Sequence, residues 1–120
     1  MTLELRNALI QYHSAERLKL DIMMVAHQYL TIPTLRKEEK IGAKRVLITI
    51  TELLSADSRA AATVTNCDEF NKTCVALDEV INLAESNQFG LASEKSGEAI
   101  VFITTAAAAA WDVLHSHGLL

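Results

Sequence analysis

Four histidines and two cysteines are the side chains of this 120-residue chain best suited to metal or covalent chemistry. His13 and Glu16 lie one helical turn apart, as do Asp112 and His115, so each pair resembles half of a carboxylate-bridged metal site. Di-iron bundles need two Glu-x-x-His pairs and two further inward-facing glutamates, and neither pair here has that order. The sequence therefore predicts no metal and no cofactor, and it assigns structural or surface roles to the histidines.

Phosphoryl transfer through a histidine is the second chemistry to consider, with His13 and His27 as the candidate residues. Histidine phosphotransfer domains are four-helix bundles of about this size, and their exposed histidine is followed by a lysine and a small residue. Here His13 precedes Ser-Ala-Glu-Arg and His27 precedes Gln-Tyr-Leu-Thr. The similarity is one of size and fold alone, so a phosphotransfer module is kept as an alternative function.

The two cysteines, Cys67 and Cys74, are seven residues apart on one predicted helix. Their Cα atoms would then be separated by about 10 Å, which is beyond the roughly 7 Å that a disulfide can span. A zinc site would need closer spacing and two more ligands, and no histidine adjoins the pair. We expect two buried thiols that pack as small hydrophobic side chains.

Charge and motif content exclude further functional classes. The 11 basic and 15 acidic residues give a net charge of −4, the wrong sign for binding nucleic acid through phosphate neutralisation. The basic cluster between residues 36 and 45 also contains Glu38 and Glu39, which is typical of a solvated helix face with salt bridges. The sequence has no glycine-rich phosphate loop, Ser/His/Asp arrangement or paired buried carboxylates. We therefore expect no enzymatic activity.

The apolar content predicts one compact domain over residues 1–120. Half of the residues are hydrophobic, which is too many for a disordered chain and enough to bury a core. The first residues lack a basic stretch leading into an apolar run, so no secretory signal is expected. The uncharged run over 99–111 is shorter than the roughly 20 residues that cross a bilayer. A cytoplasmic location without membrane insertion follows as the expectation.

The spacing of glycine and proline favours helices. The 47 residues between Gly42 and Gly90 contain neither residue type, and few β-proteins could form their tight turns without them. Pro33 breaks the first helical pattern, Thr34 is a predicted helix cap, Ser55 to Ser58 predict a turn, and Gly90 is a predicted helix stop. The predicted helices are residues 2–30, 34–56, 58–88, and 93 or 96 to 117.

Four such helices predict an all-α fold, an antiparallel up-down-up-down four-helix bundle. Three long helices, with the second and third partly fused, are the alternative. Apolar residues at helical spacing define the core face of each segment. The predicted core positions are Ala8, Ala15, Ile22 and Tyr29; Val46, Leu47, Ile50, Leu53 and Leu54; Cys67, Phe70, Cys74, Leu77, Ile81 and Ala84; and Ile100, Ile103, Ala107, Trp111 and Leu114.

Apolar residues beyond those core positions predict an interaction surface. Met24 and Ile48 fall on predicted polar faces, while Phe102 and Val113 widen the apolar stripe of the last helix. Surplus apolar surface on a small protein indicates a partner site or a homodimer, and we expect a homodimer. The whole chain is interpreted as a non-catalytic protein-binding module, an inhibitor, immunity or adaptor protein whose acidic surface suits a basic partner. A metal- or small-ligand-binding bundle and a purely structural homo-oligomer are further alternatives.

Overall fold

The computed structural model describes residues 2–120 and contains four α-helices. They are α1 (Leu3–Thr31), α2 (Lys37–Thr65), α3 (Asp68–Glu85) and α4 (Phe89–Ser116), with a short 3-10 turn, Ile32–Thr34, after α1. No strand occurs within residues 2–120. The predicted all-α four-helix fold is confirmed. Since α2 and α3 are separate helices, the alternative with three long helices does not apply.

The helices form a closed ring in which each packs against two neighbours, in the order α1, α2, α3, α4 and back to α1. Contacts along α1 and α2 show the antiparallel direction: Arg17 meets Asp57, and twelve residues later Tyr29 meets Thr51. The bundle measures 54 × 22 × 18 Å. Because α3 has only 18 residues whereas α4 has 28, the C-terminal part of α4 extends past α3 and packs on the start of α1, where the Gln11 amide donates to the Ala106 carbonyl at 2.8 Å.

The turn between α2 and α3 lies ten residues later than predicted, because α2 continues through Ser55 and Ser58. Both serines are buried inside the helix, and the Ser58 hydroxyl donates to the Leu54 carbonyl at 2.9 Å. A serine hydroxyl can cap a helix end, but it can also hydrogen-bond within a continuing helix. Ser55 and Ser58 do not end α2, so the predicted turn was wrong. Asn66, with a left-handed φ of 56°, ends α2 instead.

Two other helix ends also differ from the prediction. Gly90 lies in the first turn of α4, and the left-handed residue after α3 is Asn87, with a φ of 61°. Asparagine tolerates this conformation better than most residues. At the start of α2 the Thr34 hydroxyl donates to the Thr31 carbonyl rather than capping the helix. The cap is formed by the Arg36 backbone N–H, which donates to the Glu39 carboxylate at 2.9 Å.

The core face of α1 is as predicted, since Ala8, Ala15, Ile22 and Tyr29 are all buried. In α4 the prediction fails at Trp111, which is exposed and stacks on His115 with 4.5 Å between ring centroids. The buried positions near it are Ala106, Ala107, Ala110 and Leu114. Alanines let the backbones of α1 and α4 come close, which leaves no room for an indole between them.

The orientation of α2 differs most from the prediction. Val46, Ile50 and Leu53 were predicted to be core residues but are exposed, whereas Ile48, assigned to the interaction surface, is only 6% exposed and packs in the core. The inward face of α2 is lined by Leu47, Ile48, Thr51, Leu54, Ser55, Ser58, Ala61, Ala62 and Thr65. The prediction treated the hydroxyl-bearing residues of this face as solvent-facing, and this is why it chose the wrong face of α2 for the core.

Those hydroxyls can be buried because the helix itself satisfies them. Thr51, Ser58 and Thr65 each donate to the carbonyl four residues earlier, at 2.7 to 2.9 Å. A buried polar group is costly only when it lacks a hydrogen bond. Within residues 2–120, no buried side-chain nitrogen or oxygen lacks a partner.

Tyr29 joins α1 to α2 and to the start of α4. Its hydroxyl lies 2.7 Å from the Thr51 hydroxyl and donates to the Leu47 carbonyl at 3.3 Å, while its ring stacks on Phe89. Burial raises the pKa of Tyr29 above its usual value of 10.0, and the Thr51 hydrogen bond partly opposes this shift. The folded protein thus retains the phenolic proton at a pH where the unfolded chain loses it.

Replacing Tyr29 by Phe should change the alkaline pH dependence of stability. Because the folded state binds the proton more tightly, the free energy of unfolding of the wild type should fall as pH rises above about 10. Tyr29→Phe should cost about 1 kcal/mol at pH 8 through the lost hydrogen bonds and should fall less steeply between pH 9 and 11. Urea unfolding of both proteins across this range measures the difference. Parallel curves would contradict the burial of the hydroxyl.

Asn66 should tolerate glycine but not alanine. Glycine adopts a positive φ without steric cost, so Asn66→Gly should change the free energy of unfolding by less than about 0.5 kcal/mol. A left-handed backbone conformation is sterically unfavourable for alanine, so Asn66→Ala should destabilise the protein by about 1 kcal/mol. Urea unfolding gives both values. Equal values for the two variants would contradict the left-handed end of α2.

Candidate protein-binding groove

An open groove between α3 and α4 combines an apolar floor with charged walls. Val75, Ala76 and Phe102 form the floor. Val75 is 59% exposed, whereas the ring of Phe102 is half-buried and packs against the core. A molecule lying in the groove would therefore contact aliphatic and aromatic surface.

The lysines of the groove are already paired with carboxylates of the same chain. The Lys95 ammonium lies 2.6 Å from Glu79 and 2.5 Å from Glu98, so it connects α3 to α4 across the groove. These two hydrogen bonds raise the pKa of Lys95 above its usual value. Lys72 pairs with Glu69 at 3.3 Å, and its ammonium is 6.0 Å from the centre of the Phe102 ring.

The negative charge of the protein is concentrated on the two helices that form the groove. Together α3 and α4 carry eight acidic and two basic residues, a net charge of −6, while the rest of the chain carries seven acidic and nine basic residues. Such segregation creates a local negative potential that attracts positively charged groups. The net charge of the whole chain, −4, conceals this asymmetry.

The four residues predicted as an interaction surface do not form one surface. Phe102 lies in the groove, while Val113 is half-buried further along α4, beyond the start of α3. Met24 is exposed on α1, and Ile48 is enclosed in the core. Val75 completes the groove floor, and the sequence analysis missed it because it lies outside the predicted apolar stripe of α3. Its apolar side chain, outside that stripe, was the available signal.

His13 and His27 are both exposed on α1. Exposure is what a phosphotransfer residue requires, but neither histidine is followed by the lysine and small residue of such domains. The phosphotransfer function stays a prediction. Within residues 2–120, no group of three histidine, cysteine, aspartate or glutamate side chains is placed to hold a metal ion.

Both cysteines are free thiols, and Cys74 has a more polar setting than predicted. Its buried sulfur lies 3.2 Å from the Ser55 hydroxyl and accepts from the Arg59 guanidinium at 3.2 Å. The Ser55 hydroxyl in turn donates to the Asp78 carboxylate at 2.7 Å. This network connects α2 to α3, and sequence spacing offers no signal for it because its members come from different helices.

Among the helices within residues 2–120, only α4 is long and apolar enough to span a bilayer on length and composition alone. The uncharged run over 99–111 is part of this 28-residue helix. A core helix of a soluble protein can meet the same criterion.

The fold and groove define an all-α four-helix bundle with an acidic, apolar-floored surface on one side. Comparison of the chain with protein families, with characterised proteins and with solved structures finds no match in any of the three.

Substitutions at Val75 and Phe102 should have different effects on the free energy of unfolding, because the first side chain is exposed and the second packs against the core. Val75→Ser should change the free energy of unfolding by less than about 0.5 kcal/mol, because the side chain is largely in solvent. Phe102→Ala should cost about 2 kcal/mol, because the buried part of a large ring leaves the core. Urea unfolding measures both. A Val75→Ser cost equal to that of Phe102→Ala would contradict an exposed groove floor.

Proposed function

We propose that this protein is a non-catalytic binding module whose α3–α4 groove takes a basic segment of another protein. Inhibitors, immunity proteins and adaptors act in this way, by covering or connecting a partner surface. The observation that carries the proposal is the coincidence of an apolar floor, formed by Val75 and Phe102, with the net charge of −6 on the same two helices.

The charge pattern defines the chemistry of the partner. A negative surface accelerates association with a positive one and disfavours acidic competitors. Lysine or arginine side chains of the partner would compete with Lys95 for Glu79 and Glu98, exchanging an internal ion pair for an intermolecular one. Exposed ion pairs add little net energy, so affinity must come from the apolar contact and the charges supply selectivity and rate.

The shape of the groove favours a helical segment. From Asp68 to Glu79 the lining residues of α3 extend over about 16 Å, or three helical turns. A helix lying between two helices presents side chains at i, i+3 or i+4, and i+7 to the groove. The preferred ligand is therefore an amphipathic helix with leucine-type anchors flanked by lysine and arginine.

Two synthetic peptides test this preference directly. Both are 20-residue amphipathic helices with the same leucines, and one carries lysine and arginine where the other carries glutamate. Fluorescence anisotropy should show binding of the basic peptide alone, with affinity that falls at least tenfold between 20 and 200 mM NaCl. Amide NMR shifts should be confined to residues 68–79 and 95–102. Equal binding of both peptides, or shifts elsewhere, would overturn the proposal.

A matched pair of variants localises the binding. Val75→Ser removes an apolar contact from the groove, and we expect a fivefold or greater loss of affinity for the basic peptide. Leu30→Ser is the control, because Leu30 has a similar exposure, 54%, but lies on α1 outside the groove. Equal losses in the two variants would mean that the peptide binds without using the groove floor.

A further inference from the structure

The side of the bundle formed by α1 and α2 carries a second apolar surface. On α2, six residues repeat at alternating intervals of four and three, which is the a/d spacing of a coiled coil. They are Val46, Ile50, Leu53, Asp57, Ala60 and Val64, called the α2 stripe below. None of the six is buried, and each of the four large apolar residues is at least 37% exposed.

Two exposed residues of α1, Leu20 and Met24, extend the α2 stripe. The antiparallel register places them next to it, because Arg17 pairs with Asp57 at 3.3 Å and Tyr29 contacts Thr51. Met24, between these two contacts on α1, is level with about residues 53–54 of α2. The α2 stripe with Leu20 and Met24 forms one continuous surface, called the α1–α2 face.

The area of the α1–α2 face approaches what one partner contributes to a stable dimer. Its six large apolar side chains are on average more than half exposed, and together they present on the order of 600 Å², the upper end for the largest patch on a monomer. A standard interface buries about 800 Å² on each partner, including its polar rim. Few additional rim residues would complete an interface of that size.

We propose that the α1–α2 face binds a second copy of this chain, with the two α2 helices antiparallel about a two-fold axis. Antiparallel pairing centred between Leu53 and Asp57 sets the a positions of one copy against the d positions of the other. Val46 then lies opposite Val64 and Leu53 opposite Asp57, while the large Ile50 meets the small Ala60. A two-fold interface requires a self-complementary surface, and the α2 stripe meets this requirement.

The charges on the two sides of the bundle select the same pairing. The α3–α4 side, with a net charge of −6, would repel its own copy, whereas α1 carries three acidic and three basic residues and is neutral. Asp57, the charged member of the α2 stripe, is paired with Arg17 and so enters the interface already neutralised. The two-fold axis places each Asp57 opposite Leu53 of the other copy, and polar positions within an apolar heptad specify register.

The dimer would leave both acidic grooves free. In the helix ring the α3–α4 side lies opposite the α1–α2 side, so the two grooves face outward on opposite sides of the assembly. Self-association and groove binding are independent of one another.

Multi-angle light scattering of the full chain at 100 µM tests the proposal. The chain mass is 13.2 kDa, so the wild type should give about twice that value. Leu53→Glu should give the monomer mass with an unchanged helical circular dichroism spectrum, since Leu53 is 63% exposed. Val101→Glu, at 62% exposure on α4, is the matched control and should stay dimeric. A monomeric wild type would overturn the proposal and leave the face to a foreign partner, and a dimeric Leu53→Glu would place the interface elsewhere.

A charge-pair experiment tests the antiparallel direction. Val46→Lys and Val64→Glu should each weaken the dimer at least tenfold by placing an unpaired charge against valine. The double variant should recover most of this loss, because the pairing sets position 46 of one copy opposite position 64 of the other, where the introduced ammonium and carboxylate can pair. A double variant at least as weak as the two single variants combined would overturn the antiparallel register.

Basic-peptide binding by the Leu53→Glu monomer separates this inference from the proposed function. If the monomer binds the peptide with wild-type affinity, the groove acts independently of self-association. A dimer that binds no basic peptide would instead leave the self-association proposal intact and remove the proposed function.

Discussion

The rotation of α2 about its own axis is the constraint on which the core and the α1–α2 face of this protein depend. The helix directs hydroxyl-bearing residues inward, and each hydroxyl is satisfied either by the carbonyl four residues earlier or by a neighbouring helix. Thr51 also contacts the Tyr29 hydroxyl, so α1 and α2 are held in one register. With the hydroxyls inside, Val46, Ile50 and Leu53 must face solvent beside α1.

The acidic groove depends on a different property, the distribution of charge between helices. The protein's negative charge excess lies on α3 and α4, with a net charge of −6, whereas the rest of the chain has two more basic than acidic residues. Lys95 connects these two helices by pairing with one glutamate on each, and its single charge does not neutralise both carboxylates. The bundle thus presents a charged side and a nearly neutral apolar side, and these suit different kinds of partner.

Sequence reasoning identified the fold but not the surfaces. The heptad of α1 was readable because Ala8, Ala15, Ile22 and Tyr29 are apolar and also buried. In α2 the same reasoning chose the more apolar of two stripes, although helix-satisfied hydroxyls make the less apolar stripe equally fit for burial. Trp111 was wrongly predicted to be buried for a related reason. Alanines allow α1 and α4 to pack closely, and hydrophobicity alone does not show how far apart two helix backbones lie. The groove required knowledge of which helices are neighbours.

Matched glutamate substitutions on the two faces of α2 test its orientation most directly. Ile48→Glu buries an unpaired carboxylate in the core, which costs several kcal/mol, whereas Leu53→Glu places the same group in solvent. Circular dichroism at 25 °C, followed by thermal unfolding, compares the two proteins. The orientation described here predicts that Leu53→Glu keeps its helical spectrum and unfolds cooperatively, while Ile48→Glu loses helical signal or unfolds at a far lower temperature. A folded Ile48→Glu together with an unfolded Leu53→Glu would contradict it.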